Sequence, residues 1–184
     1  MAEPSATRHL LQFSADSWLR TLPSATRFIF QGGPQARAAV GDAFGVRLSE
    51  NACRANAQGD RAALWLGPDE YLLLAPAQDA EKLTSTLQAA LAAVAHSLVD
   101  ISHRQVALQV SGPQATAILN SGCPLDLDLT AFPTGMCTRT LLAKTEIVLW
   151  RKGADEFQIE VWRSFSDYAV RWMMEAARDF ATAS

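Results

Sequence analysis

Apolar and polar positions fall into short runs along this chain, and the same order of runs occurs twice. The first strand signal is Arg27-Phe28-Ile29-Phe30-Gln31, a β-branched and aromatic run next to turn residues. It enters Gly32-Gly33-Pro34-Gln35-Ala36, where Pro34 suits the first helical position because its missing N–H has no intrahelical partner there. Ala36, Ala39, Val40, Ala43 and Phe44 follow at helical spacing. Ser49 to Asp60 is polar and reads as a connection. Residues 62–66 and 71–74 then read as strands of a hairpin turning through Gly67-Pro68-Asp69. From Asp79 to about His96, the residues Leu83, Leu87, Ala90, Leu91 and Val94 form one apolar stripe of a helix.

The plan then repeats. Gly33-Pro34-Gln35-Ala36-Arg37-Ala38-Ala39-Val40 matches Gly112-Pro113-Gln114-Ala115-Thr116-Ala117-Ile118-Leu119 at an offset of 79 residues. Trp65 with Asp69-Glu70-Tyr71 is answered by Trp150 with Asp155-Glu156-Phe157. A second long amphipathic helix follows from Ser166 to Phe180, with Phe165, Tyr168, Ala169, Trp172, Met173, Ala176 and Phe180 along its apolar side. Ser164 stands where a hydroxyl caps free helix N–H groups, and Asp167 faces the positive helix end. The pattern therefore predicts an α+β fold of two pseudo-repeated α+β halves with antiparallel sheets, each sheet covered by its helices. The boundaries are an N-terminal arm over 1–24 that packs locally, a first half over 25–97 and a second over 98–180, within a single domain.

Composition narrows the function classes. The chain has 184 residues, ample for a core at 49% hydrophobic, and its 19% charged residues fall below the usual share, as in a protein with part of its surface covered by a partner. The net charge of −3 is interspersed, which argues against nucleic acid or an anionic membrane as partner, since both call for a Lys/Arg-rich face. Arginine outnumbers lysine in the second half and is the better residue for planar contacts to carboxylates at interfaces. Cys53, Cys123 and Cys137 are odd in number and lack CxxC spacing, which fits a reducing, cytoplasmic compartment and leaves one disulfide open. Cys123 and Cys137 read as buried structural thiols. There is no secretory signal pattern at Met1 to Arg8, and no apolar run approaches the ~20 residues of a membrane span.

Candidate chemistry concentrates at Val99-Asp100-Ile101-Ser102-His103-Arg104-Gln105, where polar groups crowd one end of the apolar run Val106 to Val110. A His103–cysteine nucleophile pair would need an adjacent, electropositive thiolate, and no local signature supplies one. His9, His96 and His103 are scattered, so metal-ligand spacing is missing. Asp126 and Asp128 alternate, which places both carboxylates on one side of an extended segment. Neither a GxGxxG nor a GxxxxGK[ST] motif occurs. Asp100, Ser102, His103 and Arg104, with Arg139, Arg163 and Ser164 beside other apolar runs, therefore read as structural or interface residues. No catalytic, cofactor-binding or metal residue is assigned.

These residues carry a family resemblance. Val99 to Arg104, Val110-Ser111-Gly112-Pro113 and Gly122-Cys123-Pro124-Leu125-Asp126-Leu127 resemble the gamma subunit of heterotetrameric sarcosine oxidase. So do Phe132 to Leu142, Trp150-Arg151 and Arg163-Ser164-Phe165-Ser166-Asp167-Tyr168. The resemblance implies a subunit of a flavin-dependent enzyme that demethylates sarcosine to glycine with formation of hydrogen peroxide. The one-carbon unit leaves on tetrahydrofolate or as formaldehyde. It further implies alpha, beta and delta subunits as partners, chiefly the large alpha subunit. FAD, FMN, NAD, tetrahydrofolate and zinc are expected on those subunits and none on this chain. The fold implied resembles the folate-binding domain of glycine-cleavage aminomethyltransferases, which share the Asp-hydrophobic-Ser-His run and the Ser-Gly-Pro helix start. Departures weigh against folate chemistry here. The transferase hairpin is shortened to Ala143-Lys144-Thr145, and only Glu146 could stand in for its folate-contacting acid. The transferase asparagine falls near Trp162 or Arg163. The resemblance thus favours a non-catalytic structural subunit over a stand-alone tetrahydrofolate-binding one-carbon-transfer protein or an unrelated interaction module.

Overall fold

The computed structural model describes residues 18–181. Among the described residues, ten strands form two five-stranded sheets, and four helices accompany them. In chain order these are β1 (Leu19–Thr21), β2 (Ala25–Gln31), α1 (Pro34–Phe44), β3 (Ala55–Gln58), β4 (Arg61–Gly67), β5 (Glu70–Pro76) and α2 (Ala80–Leu91). Then come β6 (Ser97–Asp100), β7 (Gln105–Ser111), α3 (Ala115–Asn120), β8 (Cys137–Leu142), β9 (Thr145–Gly153), β10 (Glu156–Trp162) and α4 (Ser166–Ala181). The chain divides into two compact units, one of residues 24–102 with 135–138 and one of the described residues 18–23, 103–134 and 139–181.

The first unit holds a sheet of order β3-β4-β5-β2-β6. Alternation in β2, β4 and β5 turns Phe28, Phe30, Ala63, Tyr71, Leu73 and Ala75 toward its helices. There they meet Ala36, Val40 and Phe44 of α1 and Leu83, Leu87 and Leu91 of α2. Leu83, Leu87 and Leu91 recur every four residues, and each is buried to 2% exposure or less, worth about 1.5–3 kcal/mol apiece. Tyr71 stacks on Phe30 with ring centroids 6.3 Å apart. Its hydroxyl donates to the Ser49 carbonyl at 2.7 Å, which meets the hydrogen-bonding need of a buried phenol.

The second unit repeats the order as β8-β9-β10-β7-β1. Leu108, Val110, Leu149, Phe157, Ile159, Ala169, Val170 and Met173 are among its buried side chains. α4 packs on β10 and α3.

Several expectations change. The arm does not pack locally where it can be described: Leu19, Arg20 and Thr21 pair with Val110, Gln109 and Leu108 of β7. Leu10, Leu11 and Phe13 lie outside the described residues. β6 pairs with β2, Phe28 opposite Asp100, so the chain leaves the first unit after Ser102 rather than at residue 98. Each half thus takes its fifth strand from the segment that leads into the other half. Strands of three and four residues carry too little alternation to signal which edge they will join. The polar connection contains β3, paired with β4 through Ala55–Leu64 and Gln58–Arg61. Its Ala-Asn-Ala-Gln sequence has low strand propensity and forms because the β4 edge offers backbone partners. Helix α2 ends at Leu91, five residues before His96.

The two Gly-Pro blocks also differ. Gly32 N–H donates to the Asp69 carbonyl and Gly112 N–H to the Asp155 carbonyl, each at 2.9 Å, so Gly112 corresponds to Gly32 and not to Gly33. With one residue fewer, the second copy turns at Gly112, φ +107, a conformation open chiefly to glycine. Its helix starts at Ala115 and runs six residues, against eleven for α1 beginning at Pro34.

Candidate functional site

The candidate residues separate into two groups. In the first unit, β6 ends at Asp100, whose Oδ1 accepts the Ser102 backbone N–H at 2.8 Å and the Ser102 hydroxyl at 2.6 Å. Ser102 Oγ in turn accepts the Arg27 backbone N–H at 2.9 Å, and Ile101 N–H donates to the Arg27 carbonyl at 2.9 Å. The carboxylate and hydroxyl therefore close a turn and fasten it to β2, since Asp and Ser side chains substitute for backbone partners in such turns. Arg27 is 2% exposed, and its Nη1 donates to the Ala25 carbonyl at 3.0 Å.

In the second unit, the strand β7 begins just after His103 and Arg104. Arg163 gathers them: its N–H donates to the Arg104 carbonyl at 2.8 Å, and its Nε donates to the His103 carbonyl at 3.1 Å. The Arg104 guanidinium stands 5.0 Å from the centre of the Trp162 ring, a cation–π contact worth about 0.5–1 kcal/mol at an exposed site. Trp162 is 40% exposed and Phe165 45%. Ser164 does not cap the last helix. It is exposed on a single 3₁₀ turn, Arg163–Phe165, and Ser166 is the residue whose hydroxyl donates to the Arg163 carbonyl, at 2.8 Å. The turn tightens the chain before α4, so the serine at the helix start lies two positions later. Arg139 is exposed on β8, and Glu146 is exposed on β9.

Asp126 and Asp128 form no extended acid pair. Asp126 Oδ1 accepts the Asp128 N–H at 2.9 Å, and Asp128 Oδ1 accepts both the N–H and the hydroxyl of Thr130, at 2.9 and 2.6 Å. The Thr130 bonds hold the Asp128 carboxyl below its ordinary pKa. Among the described residues, no three His, Cys, Asp or Glu side chains come together in a metal-binding group. No helix there is long and apolar enough to cross a membrane.

Arg151 is the principal polar residue that sequence patterning missed. It is 2% exposed. Its Nη1 donates to the carbonyls of Leu127 at 2.9 Å and Phe132 at 2.7 Å. Nη2 donates to the Ala154 carbonyl at 2.6 Å, and the guanidinium lies 4.7 Å from the centre of the Phe157 ring. Burial draws its pKa down, while the charges of Asp155 and Asp128 act in the opposite direction. A polar row that is buried beyond the exposed Arg20 also crosses the second sheet. Arg20 Nη2 donates to Gln109 Oε1 at 2.7 Å, Gln109 is paired in register with Gln158, and Gln158 Nε2 donates to Glu160 Oε1 at 2.8 Å. The alternating Gln105, Gln109, Gln158 and Glu160 carried that signal, but period alone does not tell a buried polar side from a solvated one.

The three cysteines are free. Cys123 Sγ lies 3.7 Å from Thr140 Oγ1, and Cys137 Sγ donates to the Trp65 carbonyl at 3.5 Å. Burial pushes the Cys137 thiol from 9.0 up to about 12. The folded chain then keeps a proton that the unfolded chain releases above pH 9. Stability linked to this thiol is fully present below that pH and falls as pH rises toward 12, by on the order of 4 kcal/mol in all. Melting curves between pH 8 and 11 should show the decline, and Cys137→Ala should flatten it. An equal slope in both proteins would refute the assignment.

Comparison with known proteins gives a consistent family. The family model described as "Sarcosine oxidase, gamma subunit family" matches residues 31–179. The gamma subunit of sarcosine oxidase from Corynebacterium sp. (strain U-96) is 34% identical, with the alignment covering 98% of this chain and 83% of the relative. A chain of the heterotetrameric sarcosine oxidase from Corynebacterium sp. U-96, solved with pyrrole 2-carboxylate, superposes with a TM-score of 0.84 at 32% identity over 90% of this chain and 86% of that one. Aminomethyltransferase T of the glycine cleavage system from Bartonella henselae shares the fold, with a TM-score of 0.65 at 16% identity over 85% of this chain and 45% of that one.

Proposed function

The chain belongs to the sarcosine oxidase gamma subunit family, and we propose that it serves as a non-catalytic, structural subunit of a heterotetrameric, flavin-dependent sarcosine oxidase. In this reading its partners are the alpha, beta and delta subunits, chiefly alpha, in the cytoplasm. The complex demethylates sarcosine to glycine, produces hydrogen peroxide, and passes the one-carbon unit to tetrahydrofolate or releases it as formaldehyde. FAD, FMN, NAD, tetrahydrofolate and zinc are held by the other subunits.

The observation that carries the reading is the corner formed by Arg104, Trp162, Arg163 and Phe165. An exposed tryptophan lies against a guanidinium, with a second arginine and an exposed phenylalanine beside it. Trp and Arg dominate interface energetics because they bury large planar surface while keeping a directional polar group. Asp100 and Ser102 are engaged in a turn, and the His103 and Arg104 carbonyls are held by Arg163. These groups do the work of positioning backbone.

Co-expression with the flavoprotein subunits, followed by size-exclusion chromatography and flavin absorbance, tests the assignment. The chain is expected to elute with the flavin-bearing subunits. Trp162→Ala should weaken that association by roughly 30-fold or more, the loss of a hot-spot contact of about 2 kcal/mol. Elution apart from the flavoproteins would overturn the subunit reading. Saturable tetrahydrofolate binding by the separate chain, lost on changing Glu146 or His103, would replace it with one-carbon transfer.

A further inference from the structure

Cys53 and Cys137 lie far apart in sequence but face each other on one short antiparallel ladder. Arg54 bridges Met136. On either side of that bridge Ala55 N–H donates to the Gly135 carbonyl at 2.9 Å, and Cys137 N–H donates to the Cys53 carbonyl at 3.0 Å. The register therefore sets Cys53 directly opposite Cys137. The backbone hydrogen bond from Cys137 N–H to the Cys53 carbonyl holds the two residues side by side, as the ~4.4–6.8 Å Cα separation of a disulfide requires. Burial, and after it the charge of Cys53, disfavours ionisation of Cys137. The two sites are unequal. Cys137 is fully buried on the sheet, while Cys53 is half-buried and held at φ +58, a left-handed conformation uncommon for a residue with a side chain. Cys123 has a different neighbour, Thr140.

We propose that Cys53 and Cys137 form a dithiol pair that a peroxide oxidises to an intrachain disulfide, fastening the start of β8 to the turn before β3. The Cys53 sulfur gives up its proton and attacks one peroxide oxygen, breaking the O–O bond; it becomes a sulfenic acid, and the departing hydroxide takes that proton and leaves as water. The Cys137 thiol then attacks the Cys53 sulfur, forming S–S, while its proton passes to the sulfenic oxygen, which leaves as a second water. Two thiols lose two electrons and two protons, and hydrogen peroxide is reduced to two waters. Cys53 is the point of attack because it is the more accessible thiol and Cys137 stays protonated. Both cysteines sit in one compact unit.

The test treats the full-length chain with hydrogen peroxide, blocks remaining thiols in denaturant, and maps the peptides by mass spectrometry without reductant. Of the three free thiols, one should remain, on Cys123, with a Cys53–Cys137 linked peptide that dithiothreitol separates. Cys53→Ser should abolish the linked peptide and leave Cys137 as a free thiol. Cys123→Ser should leave the linkage intact. The pairing is overturned if Cys53 proceeds to sulfinic or sulfonic acid while Cys137 stays free. It is equally overturned if all three thiols survive, or if the cross-link contains Cys123.

Discussion

Arg151→Ala should lower the melting temperature by roughly 8–16 °C, the shift that about 4 kcal/mol produces in a chain of this size. Its guanidinium supplies the hydrogen-bond donors for the carbonyls of Leu127, Phe132 and Ala154. The Leu127 and Phe132 carbonyls are buried and each costs about 1–3 kcal/mol when left without a donor, and removal of the side chain also opens a void against Phe157. The total is a large part of the ~5–15 kcal/mol that keeps a domain folded. Arg151→Lys should recover little, because an ammonium is a point charge and cannot present a planar fork to three carbonyls. Thermal unfolding of the three proteins decides the matter: a variant that melts within two or three degrees of the parent would show that the loops from Leu127 to Phe132 hold without this donor.

The second large effect is expected at Gly122, just after α3. A Cβ placed there would overlap Cη2 of Trp172 on α4 and stand 2.5 Å from its Cζ2. Something must give at such an approach, so Gly122→Ala displaces the Trp172 ring, α4 or the turn, at about 1–3 kcal/mol. Truncating the ring should relieve the clash: in a Trp172→Ala background the added methyl should be nearly neutral. The double-mutant cycle therefore predicts a coupling of about 1–3 kcal/mol between the two positions. Additive effects would mean that Gly122 matters for backbone conformation and not for the close approach of the ring. The same turn is tied to the β8–β9 connection, since Ala143 N–H donates to the Gly122 carbonyl at 2.8 Å, so the displacement should spread to that hairpin.

Patterning reached the features that depend on neighbours along the chain. The hairpin of residues 61–76, the stripe Leu83, Leu87 and Leu91, and the long last helix were all readable because alternation and four-residue spacing record which side of an element faces the core. The family was readable for the same kind of reason. Runs such as Asp100 to Arg104 and Arg163 to Tyr168 are local, and the family match over residues 31–179 includes them. Candidate polar residues were less legible. Asp100, Ser102, His103 and Arg104 adjoin in sequence, yet the first two close a turn on β2 while the last two are held by Arg163, on the far side of β10 in the chain. Arg151 gave no signal. An arginine in an apolar strand reads as an anomaly until carbonyls from 19 and 24 residues away are seen to converge on it.

By itself, the sequence determined the α+β class, the two pseudo-repeated halves, the side of each long element that is buried, and the family. These follow from the periods of helix and strand, which a chain writes in its own order. Tertiary structure alone decided that β1 completes the sheet of the second half and β6 that of the first. It also decided that the second Gly-Pro helix is shorter than the first, that Arg151 is caged, and that Cys53 meets Cys137. Each of these depends on which distant backbone groups remain unpaired once the local elements have formed. A strand edge or a buried carbonyl takes the partner that geometry brings to it, and no period along the chain encodes that meeting.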